Sequence, residues 1–121
     1  MIRKIKFTSI PVGNQDRALD FYVKALGFTV VTDQPMGPGQ RWIELRPPRG
    51  DAGIALFTPP GHEDRIGTFT GISMECEDVE KTYNELCAKG VEFAKPPKKE
   101  SWGVSAIMKD SEGNQIVLAT S

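Results

Sequence analysis

Two carboxylates of this sequence stand in segments whose neighbouring residues are mostly apolar. Glu75 lies near the end of the strand-like run that begins at Phe69, and burying it without a partner would cost considerable free energy. It is therefore either a functional acid or base or an exposed charge at a strand end, and the second interpretation is favoured. Glu44 stands two residues after Trp42, so these two side chains share one face of a strand.

The direction of that shared face decides what Trp42 and Glu44 can do. If it points inward, Trp42 could stack on a flat ligand and Glu44 could pair with a cationic one. If it points outward, the tryptophan packs under a helix and the glutamate is solvated. Both alternatives stay open at the level of the sequence.

Residue types that ligate metals are scarce. His62 is the only histidine, and its Pro-Gly-His-Glu-Asp surroundings indicate a structural or solvated role in a loop. Cys76 and Cys87 lack the paired spacing of a zinc or redox motif, so we expect two small buried residues in a reducing compartment.

The composition limits the classes of partner. A chain of 121 residues suits one compact domain, and 15 Lys and Arg against 16 Asp and Glu leave a net charge of -1. No basic surface for nucleic acid is implied. No run approaches the roughly 20 apolar residues of a membrane span and no signal-type segment follows Met1, so we expect a cytoplasmic protein without a membrane partner.

Periodicity and turn residues divide the first half into a strand, a helix and three further strands. Asn14 is a suitable N-cap for the helix, and Gly27 supplies its left-handed stop. Prolines and glycines between positions 33 and 40 predict a surface loop there. The expected strands cover residues 5–12, 28–32, 41–45 and 53–57.

The second half repeats this order, with Asp78 as N-cap, Gly90 as helix stop and a loop containing Pro96 and Pro97. Equivalent residues lie 62 to 64 positions apart in the pairs Asn14 and Asp78, Gly27 and Gly90, Ile54 and Ile116. The sequence therefore predicts an α+β fold of tandem βαβββ modules, about 1–61 and about 62–121. Two curved sheets of this kind would enclose a cleft.

Three motifs resemble those of one family. Residues 9–28 contain the pair Phe21 and Tyr22 followed by Leu26-Gly27-Phe28, and residues 110–114 read Asp-Ser-Glu-Gly-Asn where the family has Asp-Pro-Asp-Gly-Asn. Trp102 and Gly103 match a Trp-Gly that often precedes that hairpin. In order and spacing these motifs resemble the vicinal oxygen chelate superfamily, which includes glyoxalase I, bleomycin-resistance proteins and extradiol dioxygenases. The resemblance implies the glyoxalase/bleomycin resistance fold, a curved mixed sheet around a cleft, and a homodimer.

Catalytic members of that family hold one divalent metal through four side chains, chiefly His and Glu. Counted from the motifs, the resemblance places these positions at Phe7, Ala55, Gly71 and Val117, whose side chains carry no donor atom. Shifting each alignment by one residue does not recover a ligand set. We therefore expect neither a metal nor another cofactor.

Without a metal the cleft is expected to be mostly apolar, as is typical of pockets for organic ligands. Strand alternation and the resemblance together give eleven candidate ligand-binding residues. Trp102 is expected near the cleft mouth, and Phe7 and Phe57 could alternatively just fill the space. The candidates are Phe7, Ser9, Trp42, Glu44, Ala55, Phe57, Gly71, Ser73, Glu75, Trp102 and Val117.

These observations favour a metal-free protein that binds a small apolar or aromatic molecule. The alternative is an enzyme: a glyoxalase-like lyase or another family activity, possible without metal if Glu75 or Glu44 acts as acid or base. A non-catalytic interaction domain is a third hypothesis, and exposed apolar patches beyond a dimer contact would favour it.

Overall fold

The computed structural model describes residues 1–120, and the chain divides between Ile66 and Gly67 into two compact units. Each unit contains one four-stranded mixed sheet with a helix packed against it. The α+β class and the repeated βαβββ order are confirmed. No helix among residues 1–120 is both long and apolar enough to cross a membrane.

The first unit begins with strand β1 (Phe7–Ile10) and helix α1 (Gln15–Asp20), which continues as a π-helical segment (Phe21–Ala25). Three strands follow, β2 (Thr29–Gly37), β3 (Gln40–Arg46) and β4 (Gly53–Leu56), and then a 3-10 turn (Glu63–Arg65). The sheet order is β1-β4-β3-β2, with β1 parallel to β4 and the other pairs antiparallel.

The second unit repeats this arrangement with β5 (Phe69–Glu75), α2 (Val79–Ala88), β6 (Phe93–Glu100), β7 (Gly103–Lys109) and β8 (Gln115–Ala119). Its order is β5-β8-β7-β6, again with one parallel pair.

The expected helix boundaries are confirmed by their capping contacts. The side chain of Asn14 accepts a hydrogen bond from the Arg17 N–H at 3.0 Å, and Asp78 accepts one from the Lys81 N–H at 3.0 Å. Each cap satisfies a backbone donor that the first helical turn leaves free. Gly27 and Gly90 reverse the chain after the helices at φ values of 76° and 87°, which only glycine adopts at no steric cost.

Strand alternation puts the core of each unit between its sheet and its helix. In the first unit Ile43, Leu45 and Leu56 are fully buried, and Tyr22 from the π-helical segment is buried as well. In the second unit Met108 and Ile116 are fully buried in the same way. The residues at alternate positions point to the opposite side of each sheet.

Both predicted proline-rich loops were wrong in large part, because strands run through them. Strand β2 passes through Pro35 and reaches Gly37, and β6 passes through Pro96 and Pro97. Each of these two strands lies at the edge of its sheet. Proline has no backbone N–H, and on the outer side of an edge strand there is no neighbouring strand that would need this donor. Register irregularities between Pro35 and Gly37, and between residues 95 and 98, absorb the misfit.

Two smaller expectations were also wrong. The first strand is shorter than residues 5–12, and the side chain of Ile5 is 76% exposed. Cys87 is exposed rather than buried, because the buried stripe of α2 runs through Val79 and Leu86 and leaves the next position outside. Cys76 is half-buried, and this burial raises the pKa of its thiol.

The hairpin of β2 and β3 is tied to itself and to α1 by polar side chains. The Arg41 guanidinium donates to both carboxylate oxygens of Asp33 at 3.0 Å and also pairs with Asp16. The Gln15 amide donates to the carbonyls of Arg41 at 2.6 Å and Leu56 at 2.9 Å. These contacts fix the start of β3 beside the end of β4.

The Asp33 carboxyl is expected to titrate below its ordinary range, because the hydrogen bonds from Arg41 lower its pKa. A depressed folded pKa adds stability above the unfolded value of about 3.9, and that stability is lost as the pH falls through the folded value. Since both side chains are about one-third exposed, at 31%, the contribution is below about 1 kcal/mol.

Carbon-detected NMR titration of Asp33 checks this, with Arg41→Gln as the comparison. The substitution should return the pKa of Asp33 toward the ordinary aspartate value and shift the acid limb of the stability curve. An unchanged titration in the variant would mean that Arg41 does not cause the depression.

Candidate functional site

The face of the first sheet that points away from α1 brings six of the candidate residues together, and we call it the open face. Backbone register fixes its membership, since Ser9 pairs with Ala55 and Ala55 pairs with Glu44. Trp42 and Glu44 therefore share the face of Ala55, on the side of the sheet away from α1. The open face consists of Phe7, Ser9, Trp42, Glu44, Ala55 and Phe57.

Three aromatic rings form a cluster on the open face. The Trp42 ring lies 5.2 Å from the Phe7 ring, with an interplanar angle of 72°, and 5.6 Å from the Phe57 ring at 55°. Such tilted and T-shaped contacts are the favoured geometries of aromatic pairs and restrain the indole. All three side chains are half-buried, so part of the surface of the cluster remains accessible.

Glu44 fixes the orientation of that indole. Its Oε1 accepts the Trp42 Nε1–H at 3.0 Å, a charge-assisted hydrogen bond in a half-buried setting. A tryptophan held by one hydrogen bond and two ring contacts loses little rotational freedom when a ligand stacks on it. The arrangement is therefore preorganised for a flat partner.

An open groove of about 450 Å³ continues from Glu44. Arg46 lines it from the same face, two residues further along β3, and Asp51 lines it from just before β4. Arg3, Lys4 and Lys6 complete the lining from the segment that precedes β1. The open face is therefore aromatic at one end and strongly charged at the other, and the expectation of a mostly apolar cleft did not include this charged end.

The other five candidates lie in the second unit, where they form no comparable cluster. Ser73 pairs with Val117 and Glu75 with Ala119, while the pairing of β5 is irregular around Gly71. Glu75 is the last residue of β5 and its side chain is exposed, which agrees with the interpretation of an exposed charge at a strand end. Trp102 lies in the turn between β6 and β7 and is 60% exposed.

The four positions at which the resemblance places the family's metal ligands do not fit a metal. Phe7 and Ala55 lie on the open face, and Gly71 and Val117 lie in the second sheet, all without a donor atom in their side chains. Across residues 1–120 no group of three or more His, Cys, Asp or Glu side chains gathers at one point. His62 is exposed at the start of the 3-10 turn. No step of chemistry can be assigned to a metal held by these residues.

Two βαβββ units with this strand order define a glyoxalase-like α+β protein. The sequence model of the Glyoxalase/Bleomycin resistance protein/Dioxygenase superfamily matches residues 4–118, and the chain belongs to this superfamily.

Individual relatives agree with this assignment. A superfamily member from Sphaerobacter thermophilus DSM 20745 has a crystal structure that is 35% identical, with a TM-score of 0.89 and coverage of 99% of this chain and 98% of that one. TnmS3, an antibiotic binding protein from Streptomyces sp. CB03234, is 32% identical with a TM-score of 0.85, covering 98% and 96%. YurT of Bacillus subtilis (strain 168) is 36% identical, and the match covers 95% of this chain and 97% of YurT.

Proposed function

We propose that the protein binds a planar organic molecule on the open face, without a metal and without chemical turnover. The observation that carries this proposal is the Trp42 indole, which contacts the rings of Phe7 and Phe57 and is held through its N–H by Glu44. A rigid, half-exposed aromatic surface gains free energy by covering itself with a flat ligand. Of the two small side chains on this face, Ser9 is half-buried and Ala55 is fully buried.

Similarity to TnmS3 supports the same proposal. That protein is an antibiotic binding protein, and it matches this chain over nearly its whole length. Binding of a small molecule is the property that we carry over, and the ligand itself is left to the chemistry of this chain's own residues.

Acid or base catalysis by a glutamate is the competing function, and the geometry favours it less. Glu75 is exposed at a strand end. Glu44 is better placed, but its Oε1 already accepts the indole N–H, so that oxygen serves to hold Trp42. A bound compound should accordingly be recovered chemically unchanged.

Thermal unfolding in the presence of a library of planar aromatic compounds tests the proposed function. A ligand that binds the folded chain alone adds about 2.7 kcal/mol of stability at one hundred times its dissociation constant. We expect several planar compounds to raise the melting temperature, with mass spectrometry finding them intact. If no planar compound stabilises the protein, binding on the open face is excluded, and if a bound compound is converted the protein is an enzyme.

The proposed assembly is a homodimer and the proposed location is the cytoplasm. Large apolar side chains stand exposed on the single chain, among them Val30, Val31 and Met36 on β2 and Phe69 on β5. Exposed apolar side chains on an edge strand favour association with a second copy. Sedimentation velocity gives the mass of the particle in solution directly.

A further inference from the structure

We propose that the ligand of this protein carries an anionic group, of the carboxylate, sulfonate or phosphate class, that binds in the groove beside the aromatic cluster. The inference rests on the proposed function and specifies the chemistry of its ligand. It narrows the expectation of a small apolar or aromatic ligand to an amphipathic one, flat at one end and negatively charged at the other.

The charge balance of the groove is the first support. Arg3, Lys4, Lys6 and Arg46 line it together with only two carboxylates, Glu44 and Asp51, which leaves a net charge of +2. The whole chain, by contrast, has a net charge of -1. A concave surface with a local excess of one sign attracts counter-charged ligands.

The four basic side chains of the groove also have no partner among the described residues. Within residues 1–120 none of their side chains forms an ion pair or a hydrogen bond, and all four are exposed. Arg41 on the same strand behaves differently, because two carboxylates already hold its guanidinium. A ligand anion would therefore compete with no existing partner for the groove cations.

Continuity with the aromatic cluster is the second support. Glu44 belongs to both regions, since it lines the groove and its carboxylate accepts the Trp42 indole N–H. Lys6 directly precedes Phe7, whose ring contacts the indole. The groove thus adjoins the aromatic cluster, so that a substituent on a molecule stacked on Trp42 can extend into the groove.

The position of Glu44 sets the polarity of this arrangement. One of its oxygens is already occupied by the indole N–H, and its charge repels an anion from the middle of the open face. The anion is consequently directed away from Glu44, toward the arginine and lysine side chains that line the same groove. A cationic ligand group would gain from Glu44 and Asp51 but would face twice as many like charges.

Two fluorescent probes with the same ring system test the inference. They are 8-anilinonaphthalene-1-sulfonate, which is anionic, and N-phenyl-1-naphthylamine, which lacks the sulfonate. At low salt we expect the anionic probe to bind about fivefold more tightly than the neutral one, from one or two screened charge contacts. In about 1 M salt, where charges are screened within about 3 Å, the difference should disappear.

A charge-removal variant and a matched control locate the effect. The test variant replaces Lys4, Lys6 and Arg46 with glutamine, and the control replaces Lys95, Lys98 and Lys99 on β6 with glutamine, so both lose three positive charges. We expect the preference for the sulfonate to vanish in the groove variant and to persist in the control. Thermal unfolding of both variants establishes that they are folded.

The outcomes separate the two proposals. If both probes bind with equal affinity, the anionic preference is wrong while binding on the open face stands. If neither probe binds, both proposals fail. If the preference for the sulfonate is lost in the control variant as well, the probe responds to surface charge in general. If the groove variant keeps the preference, the anion binds elsewhere. Either result overturns the inference.

Discussion

Alanine in place of Trp42 is expected to weaken binding of N-phenyl-1-naphthylamine at least about 30-fold, the loss typical of a central aromatic contact. The substitution removes the ring surface and leaves Phe7 and Phe57 without the indole that they support. It also leaves the Glu44 carboxylate without its hydrogen-bond donor, and a bare half-buried charge disfavours an apolar ligand. Probe fluorescence titrated against protein concentration measures the loss.

Three further variants divide the effect into its parts. Trp42→Phe keeps an aromatic surface but removes the N–H, so its affinity should lie between those of wild type and Trp42→Ala. Glu44→Gln keeps an acceptor for the indole and should retain most of the affinity for the neutral probe. Tyr83→Ala removes the partner of Phe93 in the second unit and serves as an aromatic control. Wild-type affinity in a folded Trp42→Ala variant would remove the basis of the proposed site.

The fold could be predicted from the sequence because its determinants are local and occur twice. Asn14 and Asp78 cap their helices through contacts within three residues, and Gly27 and Gly90 end the helical segments through their own backbone conformation. Such features do not depend on the rest of the chain. The same spacing in both halves then predicted the βαβββ order of the elements along the chain.

The site depended on contacts between residues distant in sequence, and it was predicted only in part. Alternation placed Phe7 and Ala55 on one face, but the direction of Trp42 depends on the register that pairs Glu44 with Ala55. The groove was missed because Lys4 precedes the predicted first strand, and because Lys6 lay inside that strand, where alternation placed it on the face opposite to Phe7; the observed strand begins only at Phe7. Their positive charges next to Phe7 were the available signal.

Proline misled the prediction for a related reason. Pro35 and Pro97 are incompatible with a central strand, so a sequence pattern favours a loop. Whether a strand is central or at an edge follows from the sheet order, which local sequence does not contain. The tie between Arg41 and Asp33 across the hairpin is one contact that keeps β2 extended.

The turn between β7 and β8 is expected to be the most sensitive polar feature of the second unit. Asp110 Oδ1 accepts the N–H groups of Glu112 at 2.8 Å and Asn114 at 2.9 Å, and its Oδ2 accepts the Asn114 side-chain amide at 3.0 Å. Asn114 is fully buried, and its Oδ1 in turn accepts the Gly67 N–H at 2.8 Å. The carboxylate thus organises a chain of hydrogen bonds that reaches the start of the unit.

Asp110→Ala should lower the free energy of unfolding by about 3 kcal/mol, because it strips three donors of their acceptor where water does not readily replace it. Urea unfolding measures the change. Ser111→Ala is the control from the same turn, since Ser111 Oγ is buried without a hydrogen-bond partner within residues 1–120. Removing an unsatisfied hydroxyl should leave stability unchanged or slightly raise it. Equal losses in the two variants would show that the turn tolerates no substitution at all, and an unchanged Asp110→Ala would show that its backbone alone maintains the turn.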